Sequence, residues 1–370
     1  MNKEDLLIGI YKDEAVTADS IVESQINGLA NGFCENGIKT IFIGDEFDYS
    51  QPVNLTIAID TNGVGHWQKF LSNNITNIVW NSSSVFYSNF QIIEQFANYE
   101  RFILFNPTQD DIEPVKNYFP SLLQGYIPFG TDLNLWNKND AEKTRDLIIF
   151  ANVIDIEDTI KLLKEKMPEL VFSLMMDYCE LAVNYPALSM WQITQIFKKQ
   201  LELELDVSQY QLIAQNISEI ITTKQFANMM KLLDGFELTV VGNGPLQKYV
   251  PSSAKIINSN SIFERAVLLN SSKIALQLTP YELCGGINVD TLNSAAAKAL
   301  VLTGDNKTIY AEFGDSAVYC NSVNYEDLPE KINYYLKNTA ERNKKTDSAF
   351  KTVKNHTWTK RAASILDIID

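Results

Sequence analysis

Residues 285–305 read GGINVDTLNSAAAKALVLTGD. Two glycines remove side-chain bulk just before a helix whose first turn is crowded with Asn288, Asp290, Thr291 and Asn293. Val289, Leu292, Ala296 and Ala299 give the helix an apolar face, and its alanines allow close packing on a sheet. "ALVLTGD" then reads as a buried strand ending in a turn. Loop, helix and strand in that order make one step of an α/β winding. Capping accounts for Asn288 and Asp290. It leaves Gly285, Gly286 and Asn293 unexplained. N–H groups at such a helix start can hold a diphosphate while amide and carboxylate side chains read sugar hydroxyls.

The alternation continues outward. "DLLIGIY", "IKTIFIGD", "NLTIAID", "ITNIVWN" and "RFILFN" are apolar runs of strand length with helical candidates between them. "RDLIIFANV", "FELTVVGNGP", "AKIIN", "KIALQL" and "AVYCN" repeat the pattern later in the chain. Short apolar strands without alternation fit a parallel sheet covered on both faces. "QGYIPFGTDLNLWNKNDAEK" breaks the rhythm with Pro, Gly, Asn and charge. A boundary is therefore expected near residue 138. The first domain spans 1–138 and the second 139–355, with a helical region at about 158–233 interrupted near "NYPALS". A final helix over 356–370 packs back toward the first domain. The expected fold class is α/β: two Rossmann-like doubly wound domains facing a central cleft, with a helical insertion in the second. In such sheets ligands bind outside the carboxyl ends of the strands.

A chain of 370 residues agrees with two cores. No run approaches the roughly 18 apolar residues of a membrane helix, and acidic residues come too early in "MNKEDLLIGIYKDE" for a signal peptide, so a cytoplasmic location is expected. Cys34, Cys179, Cys284 and Cys320 form no CxxC pair, and only His66 and His356 are present, so no metal site is expected. A net charge of −15 disfavours nucleic acid and anionic lipid.

Gly242, Asn243 and Gly244 follow the strand in "FELTVVGNGPLQKYV", where a glycine turn lets backbone N–H groups approach a phosphate. An ordinary strand-to-helix turn has the same composition. No G-x-G-x-x-G fingerprint and no G-x-x-x-x-G-K-[ST] loop occurs.

"LTVVGNGPL…AKIINSNSIFERAVLLNSSKIALQLTPYELCGGINVDTLNSAAAKALVLTGD" resembles the carboxyl-terminal domain of GT-B glycosyltransferases, in the branch related to the spore maturation protein CgeB. His356, Thr357, Trp358 and Arg361 match that branch's closing helices, and the resemblance covers about residues 236–370. It implies a transferase that moves a sugar from a UDP-, GDP- or TDP-sugar to a hydroxyl of a glycan or protein, with no tightly bound cofactor. Gly242, Asn243, Gly244, Gly285, Gly286, Ile287, Asn288, Asp290, Thr291 and Asn293 then hold the donor, and Glu282 touches the transferred sugar. In the first domain Asp13 or His66 could deprotonate the acceptor of an inverting enzyme, whereas a retaining one manages without a base. This sequence carries Asn293 where the branch has Glu and Asp290 where it has Arg. It has no Arg and Lys pair after "LIIFANV", and Lys248 and Lys307 are the substitutes. These departures keep a second reading open: a non-catalytic partner or glycan-recognition subunit with a degenerate donor site. A sugar-nucleotide epimerase would need more cleft acids and histidines than are present.

Overall fold

The apolar runs become strands in both halves of the chain. A computed structural model describes residues 6–14, 16–137 and 141–369. The chain divides into two units, Met1–Asp132 with Lys354–Asp370, and Leu133–Val353. The boundary expected near residue 138 lies outside the described residues.

In the first unit β1 (Leu7–Tyr11), β2 (Lys39–Ile43), β3 (Leu55–Ile59), β4 (Thr76–Trp80), β5 (Phe102–Asn106) and β6 (Leu123–Tyr126) form one parallel sheet. Its order is β2-β1-β3-β4-β5-β6. Every residue of β3 is buried, as a central strand between helical layers requires. β6 overlaps the start of the Pro- and Gly-containing segment that breaks the strand rhythm, sharing Gln124–Tyr126 with it. It lies at the sheet edge, where Leu123 is 54% exposed, so its sequence Leu-Gln-Gly-Tyr needs no apolar run.

The helix Trp358–Ile369 packs on the helix Ile21–Glu35. Glycine makes this contact possible. A Cβ on Gly28 would stand 2.4 Å from Trp358 Nε1, and one on Gly32 would stand 2.5 Å from the Trp358 carbonyl oxygen. Trp358 is 6% exposed and meets the Trp80 and Phe129 rings at 5.8 and 5.9 Å. Arg361 Nε donates to the Phe129 carbonyl, and Thr131 N donates to the His356 carbonyl at 2.9 Å. Burial, reinforced by the Arg361 guanidinium 2.5 Å from Nδ1, pushes the His356 imidazole down to about 4.

In the second unit β7 (Arg145–Phe150), β8 (Leu238–Val241), β9 (Lys255–Ile257), β10 (Ser272–Gln277), β11 (Leu300–Gly304) and β12 (Val318–Cys320) form a second parallel sheet. Its order is β12-β11-β10-β7-β8-β9. The insertion between β7 and β8 comprises the helices Ile156–Lys166, Glu169–Asn184, Met190–Leu201 and Val207–Met230. The break at "NYPALS" is real, and capping boxes start the third helix at Ser189 and the fourth at Asp206. One face of the fourth helix, through Phe226, Met229 and Met230, joins the core under β7, β8 and β10. No described helix is long and apolar enough to cross a membrane.

Two measurements check this packing. Gly32→Ala should gain up to about 1 kcal/mol of helix propensity but meet an immobile carbonyl, with a net loss of about 1–3 kcal/mol in urea denaturation; a neutral or stabilised variant would refute the contact. Because the folded His356 binds its proton less readily than the unfolded one, stability should fall as pH drops from about 6.5 toward 4. His356→Gln should make that decline shallower, and an unchanged slope would rule out the imidazole as its source.

Candidate functional site

The loop after β10 is fixed from two sides. On one side, Tyr281 N donates to Thr222 Oγ1 at 2.9 Å, Glu282 N donates to Ser218 Oγ at 3.3 Å, and the Ser218 hydroxyl donates to the Glu282 carboxylate. Ser218 and Thr222 belong to the helix Val207–Met230, and Tyr281 Oη also donates to the Leu188 carbonyl at 3.1 Å. On the other side, Asn306 Nδ2 donates to the carbonyls of Cys284 and Gly286 at 3.0 and 3.3 Å. Thr308 Oγ1 donates to the Gly285 carbonyl at 2.8 Å. Asn306 Oδ1 meanwhile caps the helix Lys307–Phe313 by accepting from Thr308 N and Ile309 N. Gly285 and Gly286 thus have their backbone held before any ligand arrives, and the Ile287 that follows them is buried. Burial raises the Glu282 carboxyl above the usual carboxylate range, with the Ser218 bond opposing it.

Asn288 caps the helix Val289–Ala296 in extended conformation, its Oδ1 accepting from Asp290 N at 3.1 Å. The rest of the first turn is engaged within the protein. Arg265, from the helix Ile262–Asn270, places one terminal nitrogen 3.0 Å from both carboxylate oxygens of Asp290. Its guanidinium lies 4.1 Å from the Phe150 ring centre at the end of β7, and the residue is 8% exposed. Thr291 and Asn293 are buried. Gln277 at the end of β10 donates to Ser294 Oγ at 2.9 Å, and Ser294 Oγ donates to the Asp290 carbonyl at 2.7 Å. So Gly285, Gly286, Ile287 and Asn288 form the loop, Asp290 is bound to Arg265, and Thr291 and Asn293 face inward.

Gly242, Asn243 and Gly244 stand at the end of the next strand but one, against the continuation of β7. Val153 N donates to the Asn243 carbonyl at 3.1 Å, and Asn243 N donates to Asn152 Oδ1 at 3.1 Å. A Cβ on Gly242 or Gly244 would stand 1.8 Å from the carbonyl oxygen of Ala151 or Val153, and Gly244 has φ +94. A backbone contact therefore demands both glycines. Lys248 is held between Asp155 and Glu157 at 3.0 and 2.9 Å, while Lys307 is exposed and forms no ion pair among the described residues.

In the first unit Asp13 and His66 meet around one glycine. Asp13 Oδ1 accepts from Gly63 N at 2.8 Å, and Gly63 immediately precedes the helix Val64–Ser72, which carries His66. His66 Nδ1 lies 2.5 Å from the Tyr49 hydroxyl, and its ring stacks over Tyr11 at 6.1 Å. Asp60, at the end of β3, accepts from Ser82 N and Ser82 Oγ at 2.7 Å, and burial raises its carboxyl.

Sequence reading passed over Arg265, Ser218, Thr222 and Tyr49. Asn306 alone carried a local signal, an Asn between a strand and a helix start. The ion pair yields a prediction. Asp290→Asn strands a buried guanidinium and should cost about 3 kcal/mol in chemical denaturation, and Arg265→Met in that background should recover much of it. If Asp290→Asn leaves stability intact, the pair is not structural.

A search of curated proteins finds no sequence that matches. Residues 223–367 match the family described as glycosyl transferase-like. Sucrose-phosphate synthase from Thermosynechococcus elongatus is similar in structure with a TM-score of 0.58 at 9% identity, over 98% of each chain. An alpha-glucosyltransferase in complex with UDP-glucose and DNA containing an abasic site gives 0.55 at 11%, over 98% of this chain and 99% of that one. Anabaena HepE in complex with UDP and glucose gives 0.54 at 8%, over 98% and 100%. At such identities the likeness establishes the fold, and the family match covers the part that holds the loop at 281–288. The chain has the GT-B glycosyltransferase fold, with a carboxyl-terminal part that is glycosyl transferase-like in sequence.

Proposed function

We propose that this protein transfers a glycosyl group from a nucleoside diphosphate sugar to a hydroxyl acceptor on a glycan or protein in the cytoplasm. One observation carries the reading: the braced loop 281–288 leads into a capped helix at the carboxyl end of β10, within the glycosyl transferase-like residues. The N–H groups of Gly285, Ile287, Asn288 and Gly244, which make no hydrogen bond among the described residues, take the charge that develops on the leaving diphosphate, whereas those of Gly242, Asn243 and Gly286 already donate within the protein. Fixed dipoles serve this purpose well because they need no reorganisation during the reaction. Glu282 accepts hydrogen bonds from the transferred sugar, its carboxyl steadied by Ser218. In the first unit Asp13 or His66 takes the acceptor proton if the reaction inverts; both are anchored, Asp13 by Gly63 N and His66 by Tyr49. UDP and glucose in the HepE structure, and UDP-glucose in the alpha-glucosyltransferase, favour a UDP-sugar among the candidate donors.

A second reading rests on the engagement of charge. Asp290 is tied to Arg265 and Lys248 to two carboxylates, so neither is free to meet a donor. A donor site so constrained could bind a nucleotide sugar without turning it over, as a recognition subunit would.

The test is a thermal-shift and hydrolysis panel of UDP-, GDP- and TDP-sugars. The transferase reading expects stabilisation by at least one, with slow release of free sugar. Stabilisation without release, also in the presence of glycan acceptors, would favour the recognition subunit, and no shift at millimolar concentration would defeat both. Gly286→Val should remove the shift by crowding the diphosphate, whereas Glu157→Ala, which takes away one of the two carboxylates that hold Lys248, should leave it in place.

A further inference from the structure

Lys143, Lys298 and Arg342 meet at the carboxyl end of the helix Val289–Ala296. Lys143, two residues before β7, donates from Nζ at 2.8 Å to the carbonyl of Ala297, the residue that closes this helix. Lys298 is the next residue, and Arg342 comes from the helix Thr339–Val353, which packs on Val289–Ala296. A helix end attracts cations, so capping is the plain reading of the group. Lys298 and Arg342 are already answered. Lys298 pairs with Asp347 at 3.2 Å, and the buried Arg342 gives its guanidinium to the carbonyls of Tyr335 and Leu336 at 2.6 and 3.3 Å. Asp146, which also lies near Arg342, is taken by Lys273 at 2.6 Å. Lys143 has the Ala297 carbonyl and, among the described residues, no carboxylate. In a chain with 46 acidic and 31 basic residues, a half-buried lysine placed beside cations and away from every carboxylate calls for a cause.

Burial, with the Arg342 and Lys298 charges adding to it, pulls the Lys143 ammonium down to about 8. An uncharged amine is then within reach near neutral pH, and an amine in that form is a nucleophile. The cations around it favour a product that is an anion. Carbon dioxide gives one, and being small and uncharged it can reach a residue that is not sealed from solvent. We propose that Lys143 is a carbamylation site for carbon dioxide, with Lys298 and Arg342 as the cations that stabilise the carbamate. The amine lone pair attacks the carbon, a C–N bond forms as one C–O π pair moves onto oxygen, and a proton leaves the nitrogen for water. Nothing is oxidised or reduced. The nitrogen keeps one N–H for the Ala297 carbonyl, while the new negative charge answers Lys298 and Arg342. The site is independent of the proposed function, because Ala297 stands at the opposite end of the helix from the loop 285–288.

The test traps the carbamate on the full chain. Protein equilibrated with isotopically labelled carbon dioxide and bicarbonate is ethylated with triethyloxonium, which turns a carbamate into a stable urethane, and digestion with mass spectrometry locates the label. At a pH of about 8, Lys143 should carry about tenfold more label than any exposed lysine, whose ammonium persists to about 10. With dissolved carbon dioxide held constant, the Lys143 label should level off above that pH while the label on exposed lysines keeps climbing. Lys298→Met, which removes one cation from a partly exposed position, should cut the Lys143 label about threefold or more. Lys143→Arg keeps a cation at the helix end and should abolish the carbamate resonance in the labelled-carbon NMR spectrum. Whether or not that variant folds, the peptide assignment on the unaltered chain decides. No label on Lys143, label no greater than on exposed lysines, or a yield indifferent to Lys298→Met would each overturn the proposal.

Discussion

Parallel strands cannot be joined by tight turns, and that constraint arranges both units. Each connection must cross the sheet, and the helices that make the crossing cover the sheet faces. The strands are left to be apolar, as the fully buried β3 and the core around β7, β8 and β10 illustrate. Polar chemistry has one place to go, the edge where strands end. Asp13, Asp60 and Asn81 gather there in the first unit. Asn152, the Gly242–Gly244 turn, the loop after Gln277 and the Thr303–Asn306 segment gather there in the second. The candidate site is therefore a product of topology before it is a product of any single residue.

That logic also explains what could be read from sequence. Buried strands announce themselves as apolar runs because both faces are covered. β6 did not, since an edge strand escapes that requirement. Asn288 was legible as a cap because its partner, Asp290 N, is two residues away. The glycines at 242 and 244 were legible as glycines but not for their cause, because the carbonyls that exclude a side chain belong to residues about ninety positions earlier. Arg265 and Asp290 are 25 residues apart, and Ser218 and Glu282 are 64 apart. Nothing in periodicity or propensity links such pairs; only the folded chain brings them together.

The distribution of cations bears on how a diphosphate could be held. Arg265 and Lys248 each answer carboxylates of the same chain. Asp290 also explains why a basic side chain at its own position would be out of place, since it would face Arg265. What remains for an anionic ligand is mainly the backbone of a loop whose carbonyls are already committed to Asn306 and Thr308.

Trp358, seated on Gly28 and Gly32, lies in the closing segment Lys354–Asp370 of a unit whose remaining residues all precede Leu133. During synthesis the six strands of that unit emerge long before the tryptophan that fills the gap beside the helix Ile21–Glu35, and the whole of Leu133–Val353 emerges in between. A nascent chain must hold a first sheet whose helical cover is incomplete, with an uncovered glycine groove, through more than two hundred residues of translation, while the second unit is continuous and can close on its own. The order of folding can thus run opposite to the order of synthesis.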